Sequence, residues 1–129
     1  MNQYATLSAV NEYKDTGNSS IAYADPHGLI LKLMTGAIER ISQAKGAVLR
    51  QNVQMKGELI GKSIGIISGL EACLDHDKGS ELSQNLAALY QYMTKRLLEA
   101  NIENNTDKLD EVSRLMHEIK SGWEQIEPK

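Results

Sequence analysis

Apolar residues recur at alternating three- and four-residue intervals along four stretches of this chain, a spacing that lays one stripe along an α-helix. In the first stretch Ile30, Met34, Ala37, Ile41, Ala44 and Val48 form the stripe, and Leu29 and Leu33 widen it on one side. The second carries Leu59, Ile60, Ile64, Ile66, Ile67, Leu70, Cys73 and Leu74, nearly half a helical circumference. The third reads Leu82, Leu86, Leu89, Met93, Leu97 and Ala100, and the fourth Leu109, Val112, Leu115, Met116, Ile119, Trp123 and Ile126. Nothing alternates with the period of a strand. The pattern predicts an all-α protein, an antiparallel up-down four-helix bundle with helices at about 26–51, 53–75, 80–104 and 107–126.

Local chemistry sets the expected helix ends. Asp25-Pro26 is a start signal, because Asp accepts from exposed amides and Pro fits the first helical position. Ser80 caps the third helix, and Asn104-Asn105 suits its end, since Asn tolerates the left-handed conformation. Thr106 or Asp107 opens the fourth, with acids where the dipole favours them, and Pro128 closes it. The turn between helices two and three is Asp75 to Gly79. Residues 1–24 form a separate, flexible arm with room for one short helix, and 25–129 form the bundle. The second helix also carries a ladder, Gly57, Gly61, Gly65 and Gly69. Each interior glycine costs about 1 kcal/mol relative to Ala, so a closely approaching helix is expected along it.

The third helix is over-supplied with apolar groups. Tyr90 lies beside the seam, and Tyr92 and Leu98 fall outside it on opposite flanks. A helix that buries one face needs no large apolar residues on both flanks, so a second surface for a partner is expected.

Composition removes several functions. With 129 residues the chain fits one domain, and a net charge of -3 offers no general attraction to nucleic acid. One cysteine, Cys73, permits no internal disulfide, and its apolar neighbours predict a small buried side chain. No signal-peptide pattern is visible at MNQYATLSAV, and no apolar run is long enough to cross a bilayer, so a cytoplasmic location without membrane insertion is expected.

Candidate chemistry fades on inspection. Gly57 to Ser63, GELIGKS, has three residues between its glycines rather than the four of a phosphate loop, and it lies inside a helical pattern. His27, His76 and His117 offer no pair at spacing three or four, and Asp75-His76-Asp77 are adjacent turn residues pointing apart. Cys73 precedes His76 by three, yet nothing orients that pair as a nucleophile and base. The sequence predicts neither enzyme nor cofactor nor metal site. The charges read as solvated faces, with Lys95 and Glu99, Asp110 and Arg114, and Arg114 and Glu118 at helical spacing.

The third helix resembles one family through Leu89-Tyr90, Tyr92-Met93, Arg96-Leu97 and Ala100-Asn101, the pattern LY-x-YM-x-x-RL-x-x-AN. Pro26-His27-x-Leu29-Ile30 and Gly36-Ala37-Ile38 in the first helix are similar too. So are Lys62, Ile66-Ile67, Leu70 and Leu74-Asp75 in the second, and Val112 and Trp123 in the last. The chain thus resembles the flagellin-specific export chaperones of bacteria, the FliS family. It departs from them at Met34, where the family often has Tyr, so no role for that hydroxyl carries over.

The resemblance implies a chaperone that binds the C-terminal helical region of flagellin one-to-one, prevents its premature polymerisation and supports delivery to the flagellar export apparatus. It further implies an N-terminal lid, for which Tyr4, Leu7, Val10 and Tyr13 are the candidates. Residues flanking the seams are the groove candidates: Leu59, Lys62, Ile66, Leu70, Cys73, Leu89, Tyr90, Tyr92 and Arg96. Plain core packing is the competing role for each apolar member. The competing function is a structural bundle that self-associates through the same apolar face.

Overall fold

The computed structural model describes residues 25–74 and 80–126, which form four α-helices: α1 (Pro26–Leu49), α2 (Val53–Ala72), α3 (Glu81–Glu103) and α4 (Thr106–Glu124). Each helix packs on the next in sequence, and α4 returns against α1, so the four stand at the corners of a square. The all-α bundle expected from periodicity is the fold. The joints Arg50–Asn52 and Asn104–Asn105 are too short to cross the bundle and fold each helix back on its predecessor. The α1–α2 contact is the most extensive, and α3 is the least tightly held corner.

Each helix start is capped by a side chain that satisfies an otherwise orphaned amide, worth about 1 kcal/mol apiece. Asp25 Oδ1 accepts from the Gly28 amide at 3.1 Å and Ser80 Oγ from the Ser83 amide at 3.0 Å. Asn52 and Asn105 cap α2 and α4 through the amides of Met55 and Lys108, both at 3.1 Å. Residue 105 therefore caps the fourth helix rather than ending the third.

Both short joints use one device. The amide of Asn52 bonds back to the Ala47 carbonyl at 2.9 Å, and that of Asn105 to Ala100 at 3.1 Å. Each closes over one left-handed residue, Gln51 at φ 59° and Asn104 at φ 54°. The turn at Gln51 ends α1 at Leu49, two residues short of the expected 51. Asn suits this conformation; glutamine bears the clash of its Cβ.

The seams meet along the bundle axis. Leu33, Ile41, Ile60, Ile67, Met93, Leu97, Leu109, Val112 and Met116 are all fully buried. Alanines 37, 44, 47 and 100 are buried with them and let the helices approach closely. One charge enters the packing: Lys56, 8% exposed, donates from Nζ to the Asn101 carbonyl at 2.8 Å and to Asn104 Oδ1 at 2.7 Å. The ammonium sits at the negative end of the α3 dipole and ties the start of α2 to it.

The glycine ladder behaves differently from expectation. A Cβ built at Gly57 or Gly61 meets nothing within 4 Å, so no helix among the described residues approaches them. Their flank of α2 faces outward. Gly69, two turns on, is buried.

Candidate partner-binding surface

The four seams do not stay closed to the end. Where α1 and α3 begin and α2 and α4 finish, they part around a cavity of about 420 Å³. Met34, Leu70 and Tyr90, each 2% exposed, form its floor. Ile30, Leu86, Ile119 and Trp123 make its half-buried walls, and the exposed Leu82, Cys73 and Ile126 stand at the mouth. The lining is apolar apart from Ser83, Glu118 and the tyrosine hydroxyl.

Trp123 is held in that wall by His27. The two rings stack at 4.9 Å between centroids, 17° from parallel. The Trp123 indole Nε1 donates to the His27 carbonyl at 3.1 Å. In return the His27 ring Nε2 donates to the Trp123 carbonyl at 2.8 Å, which places its proton on that nitrogen. Two hydrogen bonds and one stack thus tie the first turn of α1 to the last of α4.

Tyr90 is the polar feature of the floor. Burial pushes its phenol up to about 12, with a lesser contribution from nearby Cys73.

A second, polar surface runs along the α3–α4 seam. Tyr92 Oη donates to Glu111 Oε2 at 2.6 Å, and Arg96 Nε donates to Glu111 Oε1 at 2.7 Å. Arg96 also pairs with Glu99 at 3.2 Å, and Lys108 reaches Glu99 at 3.2 Å and Glu103 at 2.9 Å. The Tyr92 hydroxyl and then Arg96 hold the Glu111 carboxyl below the usual range. The same bonds from Glu111 raise Tyr92 and Arg96. None of these is among the three pairs read from helical spacing: Arg96 and Glu99 pair along α3 at spacing three, and the others join α3 to α4. Outside the network Leu98 is half exposed and Ile102 82% exposed.

The sequence-derived groove candidates fall in three places. Leu70, Cys73 and Tyr90 meet in the end cavity. Tyr92 and Arg96 share the polar seam through Glu111, and Leu89 is partly buried against the core. Leu59 and Ile66 are buried in the core cluster, and Lys62 is exposed. Cys73 is exposed, not buried as its neighbours suggested, because it follows the last residue of α2. Tyr4, Leu7, Val10, Tyr13, the Asp75-His76-Asp77 cluster and Pro128 lie outside the described residues. Sequence reasoning missed the cavity walls: Ile30, Leu86, Ile119 and Trp123 read as ordinary seam positions, and periodicity carries no information on where seams diverge.

Among the described residues no group of three or more His, Cys, Asp or Glu is arranged to hold a metal ion. No helix among them is long and apolar enough to cross a membrane.

Comparison with known proteins gives one consistent result. The family model "Flagellar protein FliS" matches residues 9–129. The chain is 49% identical over 121 residues to the flagellar secretion chaperone FliSB of Pseudomonas aeruginosa, covering 93% of this chain and 96% of the relative. It is 40% identical over 126 residues to the flagellar secretion chaperone FliS of Salmonella typhimurium, covering 96% and 93%. The corresponding protein of Vibrio cholerae is 40% identical over 112 residues, with 87% and 82% covered.

Proposed function

The chain belongs to the FliS family of flagellar proteins, and on that premise we propose that it is a cytoplasmic export chaperone for flagellin. It binds the C-terminal helical region of flagellin one-to-one, keeps that region from polymerising early, and presents the client to the flagellar export apparatus. Family membership supplies the client. The observation that carries the physical reading is the apolar cavity at one end of the bundle, where the four seams part and none of the described helices fills the space between them.

The mechanism follows from what an amphipathic client segment lacks. Alone it cannot bury its apolar stripe, so it folds onto the chaperone and lays that stripe into the cavity and along adjoining flanks. Leu70, Cys73 and Tyr90 contact it there, while Tyr92, Arg96 and Lys62 form a polar rim. Ordering the client costs free energy, which keeps the affinity reversible. No nucleotide hydrolysis enters the cycle. Before the client arrives, the arm of residues 1–24 covers the cavity through Tyr4, Leu7, Val10 and Tyr13, since α1 begins beside the mouth.

Size-exclusion chromatography with light scattering tests the reading on the full chain, alone and with the C-terminal segment of its host's flagellin. The expected result is a monomer that forms a one-to-one complex. A stable dimer indifferent to the segment overturns it and favours self-association through the exposed apolar face of α3.

A further inference from the structure

The last turn of α4 has little of its own to hold it in place. From Ser121 to Ile126 every residue except Trp123 is exposed. Gly122 weakens the helix immediately before the tryptophan, and a Cβ built there meets nothing within 4 Å. The helix runs out at Gln125 without the left-handed residue that closes α1 and α3. A helix end with so few buried contacts opens readily, and a side chain on it swings with the backbone.

Trp123 nevertheless forms part of the cavity wall, and what fixes it comes from outside α4. The imidazole of His27 stacks on the indole at 4.9 Å between centroids, and its Nε2 donates to the Trp123 carbonyl at 2.8 Å. One side chain thus holds both the ring and the backbone of the same residue. His27 itself is not among the residues lining the cavity. A ligand seated there meets the indole and not the imidazole, so His27 reaches it through Trp123.

We propose that His27 is a positioning residue for partner binding, which fixes the Trp123 indole in the cavity wall before the partner arrives. The proposal rests on the chaperone reading, with the C-terminal segment of flagellin as the occupant of the cavity. Preorganisation raises affinity without adding a contact, because the side chain is ordered on folding rather than on binding. Without the imidazole, the indole keeps its own bond to the carbonyl of residue 27 but is free to tilt about it. The segment must then order the last turn of α4 as it binds.

Calorimetric titration of the full chain with a tryptophan-free C-terminal segment of its host's flagellin tests this, in a double-mutant cycle of His27→Ala and Trp123→Leu. His27→Ala should weaken binding about three- to tenfold, at a temperature where circular dichroism shows every variant folded. In the Trp123→Leu background the same substitution should change affinity by less than about twofold. His27→Gln, whose side-chain amide reaches the same carbonyl, should recover most of the loss. Time-resolved anisotropy of the free chain should show faster local motion of Trp123 in His27→Ala, and the bound segment should restrict it. Full-strength binding by His27→Ala overturns the proposal and leaves the chaperone reading intact. An equal loss in the Trp123→Leu background also overturns it, since His27 then acts on the bundle and not on the indole. Failure of the wild type to bind the segment is distinct and removes the chaperone reading together with the positioning role.

Discussion

His27 and Trp123, 96 residues apart, hold each other by two reciprocal hydrogen bonds and a ring stack, joining the two ends of the described chain beside the cavity. The pair explains why one wall stays standing where the seams have already parted. α4 contributes Ile119, Gly122 and Trp123 to that wall, and its last turn is pinned to the first turn of α1.

Replacing His27 with Ala should therefore loosen the end of α4. It removes one side-chain bond and the stack, a loss of about 1–2 kcal/mol, read as a shift in the urea midpoint with little change in slope. A wild-type midpoint in His27→Ala contradicts the clasp.

Lys56 should matter more than its position on a helical wheel suggests. Exchanging it for Met keeps the stem but leaves the Asn101 carbonyl and the Asn104 side chain without their donor, costing about 1–3 kcal/mol. Denaturant unfolding measures this, and amide exchange should speed up first in the last turn of α3.

Gly57 and Gly61 offer gains instead. A methyl group at either meets open space, so Gly57→Ala and Gly61→Ala should each stabilise the chain by about 0.5–1 kcal/mol through helix propensity alone. Thermal melts test this. A loss of stability would mean that something packs closely on this flank after all.

The Glu111 network predicts a pH signature. Its carboxyl is held below the ordinary value of 4.5 by the Tyr92 hydroxyl and Arg96. Its stabilising share is therefore complete above 4.5 and is lost as pH falls through the lower value of the folded state. Glu111→Gln should melt about 1–4 °C below the wild type at neutral pH, and the gap should close in acid below that window. A gap that persists undiminished at low pH would assign the effect to packing rather than charge.

Much of the architecture could be read from residue spacing. The stripe Met34, Ala37, Ile41 and Ala44 is buried throughout, and the caps at Asp25 and Ser80 and the left-handed Asn104 stand where local chemistry places them. The site was less legible. Tyr90, Leu70 and Cys73 are groove candidates by sequence and do share a cavity, but its walls come from seam residues indistinguishable in sequence from core. Whether Ile30 packs a neighbour or an empty space depends on how far four helices splay, and that is set by all four together. Cys73 is exposed for a related reason, since apolar neighbours along a helix say nothing about the exposure of the residue that ends it. The glycines at 57 and 61 show the converse, a costly local choice for which the described helices provide no packing partner.

Trp123 is the single tryptophan of the chain and lines the cavity, so its emission reports directly on what enters there. Titrating the full chain with a tryptophan-free C-terminal segment of its host's flagellin should shift that emission and saturate at one equivalent, as water leaves the indole and the segment takes its place. Stoichiometric binding with Trp123 emission unmoved would place the client elsewhere on the bundle and contradict the account.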